Sequence, residues 1–443
     1  MSSCQVCRNS VLPTLDFQII SSEDEKLLEL KKNSAPSCYD PIHAKKIKMI
    51  NRLTTTKVDL CPDALEYLHG SRILTSACYQ LDTATSIKTG SLNLHRIPES
   101  TTTTSTERTT TSLSDIQQQS TYITTESLPL LSLNNDRAIF DIRWRPNEND
   151  RSSDKQKECA VVTAGGSASV YRLKDELEDS PYLERIDLVE LDPSHNPSSL
   201  SALYINWLDY NSMSIGKSDG SVSILSFREE ALSIVSTWSA HQLGGCPIEV
   251  WVTESHPKRP SVLWTGGDDS LLKGWDTRSP SMALFVSKSH SAGVTSIKWN
   301  PFVENVVATG SYDECLRIWD ERYMSKGPIS FLPDLGGGVW RIKWHPHVRN
   351  QSLLAAACML GGAHIIDALG TSGSITESIE ENKPRKIGSY TEHKSLVYAT
   401  EWLYSDKEST IDRENVLSQT HILASCSFYE KEIHTWSLER PSS

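Results

Sequence analysis

Short apolar runs separated by Gly, Asn, Asp and Pro are the dominant pattern along the chain. The clearest example is residues 290–320, HSAGVTSIKWNPFVENVVATGSYDECLRIWD, which contains apolar runs at 294–299, 306–309 and 316–319. Runs of this length, rich in β-branched and aromatic residues and ended by turn residues, predict an antiparallel meander of strands. Because so small a sheet is not stable alone, we expect it to stack on copies of itself.

Copies of this pattern recur along the chain. Trp275-Asp276 precedes Trp319-Asp320 by 44 residues (319 − 275), which matches the ~40–45 residue period of a four-stranded propeller blade. Third strands that fit the pattern end at seven places: Leu94, Tyr171, Leu225, Trp275, Trp319, Ile366 and Trp436. Since seven blades commonly close a ring, the predicted fold class is all-β, a seven-bladed β-propeller that resembles the WD40 class.

The repeat also defines the expected domain organisation. Residues 1–45 fall outside it and are predicted to be an N-terminal extension, partly disordered, whereas 46–440 should form the propeller. Residues 46–53 are the candidate strand that completes the last blade. Two polar stretches, about 99–135 with its TTTTSTERTTT tract and about 370–390, have little to bury and are predicted to be flexible inter-blade insertions.

Composition narrows the classes of function. The formal net charge of −12 argues against a general nucleic-acid binder, which shows a basic face. No apolar run approaches the ~18 residues of a membrane span, and no signal peptide is evident at the N-terminus. Cys4-x-x-Cys7 is only half a zinc site, and the other cysteines are scattered. We therefore expect a cytoplasmic monomer with reduced thiols and no metal, direct nucleic-acid contact or membrane span.

Residues of hydrolytic type also occur within the repeat. His290, Ser311, Asp313 and Trp319 have the side chains of a catalytic triad plus an aromatic. In a propeller blade the same set forms a hydrogen-bonded network from a surface turn to the Trp, and a buried network of this kind must be fully satisfied. We assign these residues a structural role, and the same role to the fourth-blade set His241, Asp269 and Trp275.

Three segments exceed what a generic blade needs. They are 336–341 (GGGVWR), 393–398 (HKSLVY) and 425–430 (SCSFYE). All three lie on equivalent connections of the repeat, so a propeller would bring them to one face. The chain has no G-x-S-x-G elbow, P-loop or HExxH motif, so motifs alone indicate an interaction scaffold.

These segments carry a family resemblance. Residues 264–278, 308–322, 336–346, 393–403 and 424–436 together resemble the WD-repeat family named diphthine methyltransferase. The resemblance implies a carboxylic-ester hydrolase, a methylesterase of diphthamide biosynthesis. Its implied protein-modification reaction removes the methyl ester from diphthine methyl ester on elongation factor 2, giving diphthine for later amidation to diphthamide. It implies elongation factor 2 as partner, the cytoplasm as location, and no metal or organic cofactor.

Ester hydrolysis requires a nucleophile or activated water, a base, and donors for the oxyanion. Our candidate catalytic residues are His393, Asp268 and Asp269 as bases, Cys426 and Ser427 as nucleophiles, and Arg341 for the oxyanion. Each has a structural alternative. His393 is also the expected turn histidine of the seventh blade, and Cys426 fits a small apolar packing position.

Diphthine carries a trimethylammonium group, and proteins hold such cations against aromatic faces. The candidate substrate-binding residues lie on turns and first strands of the last three blades: Tyr312, Trp340, Tyr398, Phe428, Tyr429 and Glu430. They predict a pocket on one face of the ring, near the channel, built from blades four to seven. The alternative function is a non-catalytic WD40 adaptor in trafficking or ubiquitin-ligase substrate recognition, which needs no such pocket.

Overall fold

The computed structural model describes residues 50–82, 88–97, 125–127, 129, 131–135, 137–146, 157–176, 181–192, 200–370, 383–403 and 420–439. Within these ranges the chain forms strands β1 to β31, most of them in seven sheets: six have four antiparallel strands and the seventh has five strands. The extension 1–45, the Cys4-x-x-Cys7 pair and the threonine tract lie outside the described residues.

Each sheet is one blade, and its strands follow one another from the channel outward. Blade 1 contains β2 (Cys61–Leu68), β3 (Ile73–Leu81), β4 (Lys88–Arg96) and β6 (Leu131–Asn135). Blade 2 contains β7 (Ile139–Trp144), β8 (Glu158–Thr163), β9 (Ser167–Lys174) and β10 (Tyr182–Glu190). Blade 3 contains β11 (Ala202–Trp207), β12 (Ser212–Lys217), β13 (Ser221–Arg228) and β14 (Ala231–Ser239).

The later blades follow the same plan. Blade 4 contains β17 (Val250–His256), β18 (Arg259–Gly267), β19 (Leu272–Asp276) and β20 (Phe285–Ser287). Blade 5 contains β21 (Val294–Trp299), β22 (Val306–Ser311), β23 (Leu316–Asp320) and β24 (Ser330–Leu332). Blade 6 contains β25 (Arg341–Trp344), β26 (Leu353–Ala357), β27 (Ala363–Asp367) and β28 (Arg385–Tyr390). Blade 7 contains β29 (Val397–Trp402), β30 (Thr420–Ser427), β31 (Glu432–Glu439) and β1 (Ile50–Lys57).

Short elements complete the fold. A two-stranded hairpin, β15 (Gln242–Leu243) with β16 (Cys246–Pro247), precedes blade 4. Strand β5 (Thr125–Ser127) runs parallel to β1 at the outer edge of blade 7. Two 3-10 helices cover Glu321–Lys326 and Val348–Asn350. None of the helices in the described part of the chain is long and apolar enough to cross a membrane.

The inner strands close a ring. Each of β2, β7, β11, β17, β21, β25 and β29 contacts the inner strand of the next blade, and β29 contacts β2. Large apolar side chains fill the spaces between blades, and Trp264, Trp319 and Trp436 are fully buried there. The predicted seven-bladed propeller is therefore confirmed.

An N-terminal strand joins the two ends of the propeller. β1 pairs antiparallel with β31, from Ile50 opposite Leu438 to Lys57 opposite Glu432. The sequence placed this closing strand at 46–53, and the structure places it at 50–57 within the described chain. Blade 7 thus combines strands from both ends of the repeat, which removes the open edge that a linear array would leave.

Both expected insertions are shorter than the sequence indicated. Residues assigned to the loop 99–135 form β5 and β6, and residues assigned to 370–390 include β28. The reason is apolar alternation inside polar stretches. Leu131 and Leu133 of β6 pack against the core between blades 1 and 2, and Ile387 and Tyr390 of β28 are buried between blades 6 and 7.

Candidate functional site

A recurrent β-bulge shapes the start of the inner strands. In six blades one residue near that start has no partner in the second strand: Asp63, Phe140, Leu203, Trp251, Thr295 and Tyr398. Trp340 occupies the corresponding place directly before β25. A bulge bends its strand and re-aims the extra side chain. Because inner and second strands are antiparallel, these bulges lie at the same face of the ring as the turns that follow the second strands.

Seven aromatic rings gather at this face, and we call them the mouth cluster: Tyr79, Phe140, Trp251, Tyr312, Trp340, Tyr398 and Phe428. Their ring centroids are 5.0 Å apart for Phe140–Tyr79, 5.1 Å for Tyr79–Phe428, 5.0 Å for Phe428–Tyr398, 5.4 Å for Tyr398–Trp340, 5.5 Å for Trp340–Trp251 and 5.7 Å for Trp340–Tyr312. The members come from six blades, and only the central channel can bring such residues together.

Four of the six residues that the sequence indicated for substrate binding lie in the mouth cluster: Tyr312, Trp340, Tyr398 and Phe428. Tyr429 lies at its rim, 5.0 Å from the Phe428 ring and 44% exposed. Tyr79, Phe140 and Trp251 were not among the residues predicted for this site. Trp251 was detectable in principle, because it follows a valine at the start of its blade's inner strand, as Tyr398 and Trp340 do.

A charged layer lies beside the mouth cluster, on the same inner strands. It contains buried or nearly buried members from six blades: Glu66, Asp141, Arg143, Glu254, Lys298, Lys343 and Glu401. The Lys343 ammonium lies 2.5 Å from Glu66 and 2.7 Å from Glu401. Lys298 lies 2.7 Å from Glu254, and Arg143 lies 2.8 Å from Asp141. Because these charges are paired in a low-dielectric space, we expect them to stabilise the channel wall and not to react.

Arg341 is the cation of this region that has no carboxylate partner among the described residues. It is 5% exposed, and its Nη1 donates a 3.3 Å hydrogen bond to the Trp340 carbonyl, whereas its Nε has no partner. The guanidinium carbon lies 5.1 Å from the Trp340 ring and 4.9 Å from the Tyr204 ring. A desolvated guanidinium with a spare donor can bind a carbonyl oxygen or a carboxylate.

Asp63 is the matching unpaired carboxyl. It is 4% exposed and forms no hydrogen bond or ion pair within the described part of the chain. Burial raises the pKa of Asp63 to about 7, with Asp141 raising it further and Arg341 opposing the shift. Asp63 was not among the predicted site residues, because its segment, CPDAL, matches the repeat only loosely.

Asp268 and Asp269 are adjacent in sequence but face different surroundings. Trp251 Nε1 donates a 3.0 Å hydrogen bond to Asp268 Oδ1, so this carboxyl stands against the mouth cluster. Burial raises its pKa, the Trp251 hydrogen bond lowers it, and Asp269 raises it. Asp269 instead lies 2.7 Å from His241 Nδ1 and 3.2 Å from the Lys273 ammonium.

The hydrogen-bonded networks of blades 4 and 5 connect turn to tryptophan. In blade 4, Trp275 Nε1 donates to Thr265 at 2.9 Å, and Thr265 lies 2.7 Å from His241. In blade 5, Trp319 donates to Thr309 at 2.8 Å, Thr309 lies 3.0 Å from His290, and Arg317 joins His290 to Asp313. Thr309 therefore holds the position that the sequence gave to Ser311, whose hydroxyl donates to the Ala292 carbonyl at 3.0 Å.

Blade 7 has the same network with a glutamate at its end. Trp436 Nε1 donates to Ser425 at 3.1 Å, and Ser425 lies 2.8 Å from His393 Nε2. Glu430 lies 3.8 Å from His393 Nδ1 and accepts a 2.6 Å hydrogen bond from Ser427. Burial alone would raise the pKa of Glu430, but His393, Ser427 and the Lys394 N–H lower it to about 2.

Cys426 is fully buried between blades 7 and 1, where its thiol lies 3.5 Å from the Pro62 carbonyl. Burial raises the pKa of the thiol. Of the six candidate catalytic residues, the structure places Arg341 and Asp268 beside the mouth cluster. His393, Ser427 and Asp269 lie in blade networks, and Cys426 lies in packing. No cluster of three or more potential metal ligands occurs among the residues that the structure describes.

Sequence comparison with known proteins relates the chain to a family, although no family model matches it. The chain is 34% identical over 286 residues to human diphthine methyltransferase, covering 60% of this chain and 56% of the human protein. It is 32% identical over 326 residues to the Dictyostelium discoideum diphthine methyltransferase homolog, covering 69% of this chain and 77% of that protein.

Among solved structures, a chain of the mitotic checkpoint complex superposes with a TM-score of 0.55 at 14% identity. The superposition covers 91% of this chain and 96% of that one. At this identity the similarity concerns the fold alone. The match to the Dictyostelium relative, by contrast, joins identity above 30% to coverage of more than two thirds of that protein. The chain therefore belongs to the diphthine methyltransferase family.

Proposed function

We propose that this protein is a carboxylic-ester hydrolase of diphthamide biosynthesis. Its substrate would be the methyl ester of diphthine on elongation factor 2, and its products diphthine and methanol. The observation that carries the proposal is the juxtaposition, at one mouth of the channel, of seven aromatic rings with the unpaired Arg341 guanidinium. Family membership supports diphthine as the modified side chain.

The aromatic rings suit the cationic end of diphthine. A trimethylammonium group has no N–H to donate, so it is bound by aromatic faces and by nearby negative charge, with each face contributing ~0.5–2 kcal/mol. Trp340 lies between Tyr398, Trp251 and Tyr312, at centroid distances of 5.4, 5.5 and 5.7 Å. The Asp268 carboxylate, held by Trp251, adds negative charge beside these rings.

Arg341 suits the ester end. When water or another nucleophile adds to the ester carbonyl, negative charge develops on its oxygen, and a fixed donor in a dry site lowers the barrier to this step. The Arg341 side chain is held against the Trp340 and Tyr204 rings, so it is oriented before the substrate arrives. After hydrolysis the same guanidinium would face the new carboxylate.

A protein substrate fits an entrance at the surface of the ring. Tyr429 is 44% exposed at the rim of the mouth cluster, so a side chain projecting from elongation factor 2 would enter past it. Three of the seven mouth-cluster rings, Tyr312, Trp340 and Phe428, lie on connections between strands, which tolerate the approach of a partner better than the core does.

Intact mass spectrometry tests the proposal. The purified protein is incubated with elongation factor 2 that carries methylated diphthine, and methanol is assayed in parallel. We expect the substrate to lose one CH2 unit and to release one equivalent of methanol. A non-catalytic adaptor would bind without any change in mass, and a methyl-transfer enzyme would add mass when given a methyl donor; either result would refute the hydrolase proposal.

A further inference from the structure

Asp63 occupies a position that a structural role does not explain. It is the bulge residue of β2, equivalent to Trp251 and Tyr398, so its side chain is directed to the mouth cluster. It is nine-tenths buried without any hydrogen-bond donor among the described residues. A buried carboxyl without donors is unfavourable for stability, and such groups are characteristic of functional sites.

We propose that Asp63 is the general base that activates a water molecule for direct attack on the ester carbonyl, opposite Arg341. This inference rests on the proposed function and assigns its catalytic group. Asp63 and Arg341 interact electrostatically but form no ion pair with each other within the described chain. In this proposal the reacting ester and its water lie between these two opposite charges.

The other acidic groups of the channel have partners. Glu66 and Glu401 share Lys343, Glu254 pairs with Lys298, and Asp141 pairs with Arg143. Asp268 accepts its hydrogen bond from Trp251. Protonating a paired carboxylate would forfeit a buried ion pair, which is costly, whereas protonating Asp63 relieves a buried charge.

The reaction balances with water as the sole co-reactant. Asp63 takes a proton from water while the water oxygen bonds to the carbonyl carbon, and the electron pair of the carbonyl moves to its oxygen beside Arg341. When the tetrahedral intermediate collapses, the bond to the methoxy oxygen breaks and Asp63 returns its proton to that oxygen. Methanol leaves, and the new carboxylic acid loses its proton to solvent.

The pH dependence follows from the surroundings of Asp63. Titratable or charged groups face it from its own strand and from neighbouring elements: Cys61 on β2, and Arg341, Asp141, Cys426, Tyr79, Tyr312 and Tyr398. Burial raises the pKa of each of these tyrosines and cysteines, so they remain neutral near pH 7. Burial also raises the pKa of Asp63 to about 7. The base is thus protonated in acid, and kcat/KM should fall about tenfold per pH unit below that value.

The test compares kcat/KM for methanol release across pH 5 to 9 in the parent and in Asp63→Asn. We expect the variant to lose at least about 100-fold and to lose the acid limb of the profile, while its circular dichroism stays that of the parent. Glu66→Gln, which removes a carboxyl from the same strand, is the matched control. We expect it to melt at a lower temperature and to keep the acid limb.

The outcomes separate this inference from the function on which it rests. A parent protein that releases no methanol overturns the proposed function. A parent that hydrolyses the ester, together with an Asp63→Asn variant that keeps the activity and the acid limb, overturns the role of Asp63 alone. If Asp63→Asn does not fold, Asp63→Glu is used. This variant should retain activity with a displaced acid limb, and an unmoved limb would contradict the proposal.

Discussion

Trp251 Nε1 and Asp268 Oδ1 are joined by a 3.0 Å hydrogen bond that links the aromatic and acidic parts of the channel mouth. The indole belongs to the bulge of β17, and the carboxylate belongs to the turn after β18. The next residue, Asp269, turns the other way and pairs with His241 in the structural network of the blade. Two adjacent carboxylates of one turn therefore have different surroundings, and we infer different roles for them.

Asp268→Asn should weaken binding of the cationic substrate while leaving the blade intact. The amide can still accept the Trp251 hydrogen bond, but the negative charge beside the rings is lost. We expect the Kd of a peptide carrying the trimethylammonium ester to rise about tenfold, which corresponds to ~1.4 kcal/mol, when measured by calorimetry on inactive Asp63→Asn protein. Asp276→Asn is the control, because Asp276 pairs with Arg278 outside the mouth; equal effects of both substitutions would contradict this role of Asp268.

Trp340→Leu should reduce the preference for a cation over a neutral group of the same shape. Trp340 is the ring with the most aromatic neighbours in the mouth cluster, and leucine keeps apolar contact but removes the π face. The ratio of affinities for trimethylammonium and tert-butyl peptides should fall about 3- to 30-fold, as expected for ~0.5–2 kcal/mol. Tyr323→Leu, on an exposed tyrosine, should leave the ratio unchanged. A ratio that Trp340→Leu does not alter would exclude this ring from cation binding.

The sequence was sufficient to predict the propeller and much of the mouth. Trp275-Asp276 and Trp319-Asp320 established the period, and the turns around Tyr312, Phe428 and Tyr429 indicated one face. These features are local, because turn residues and apolar runs specify a blade without reference to its neighbours. The family resemblance drawn from the same segments is confirmed by the relatives.

Asp63 could not be predicted, because its orientation depends on a bulge. Simple alternation in a strand assigns each side chain to one of two faces, but an extra residue in the inner strand shifts that assignment. In the blade 5 network, the hydroxyl that accepts the Trp319 hydrogen bond belongs to Thr309 and not to the predicted Ser311, and this difference is also a matter of strand geometry. Both hydroxyls precede the turn, and only the strand register between β22 and β23 decides which one meets Trp319.

The buried Asp63 carboxyl should also alter the pH dependence of stability. Its pKa is about 7 in the folded protein against an ordinary value of 3.8, so the folded state binds more protons than the unfolded state between these values. Asp63 therefore destabilises the fold as pH rises from about 4 to 7, by up to roughly 4 kcal/mol for a shift of about three pKa units.

Asp63→Asn should remove this penalty. In urea unfolding, we expect the variant to be more stable than the parent at pH 8 and equally stable near pH 4, with the difference growing through the interval between. A variant that is destabilised at pH 8 would show that the Asp63 carboxylate is held by favourable contacts, and it would count against the unpaired state described above.

Asp313→Ala should harm stability more than activity. The Asp313 carboxylate accepts hydrogen bonds from Arg317 at 3.0 Å and from the Ser291 N–H at 3.0 Å. Its removal leaves the buried His290 side of the network incomplete, which should lower the free energy of unfolding by ~1–3 kcal/mol. Methanol release measured below the melting transition should stay within about twofold of the parent. Parental melting with lost activity would transfer Asp313 from the structural network to the catalytic site.

We propose that one mouth of this propeller binds a trimethylated cation and hydrolyses its methyl ester. The most direct measurement is the kcat/KM for methanol release from two peptides that carry the same methyl ester, one with the trimethylammonium group of diphthine and one with a tert-butyl group in its place. We predict hydrolysis of both, with the cation favoured at least about tenfold, which is the sum expected from two or more aromatic faces and a carboxylate. Equal rates, or no methanol from either peptide, would contradict this proposal.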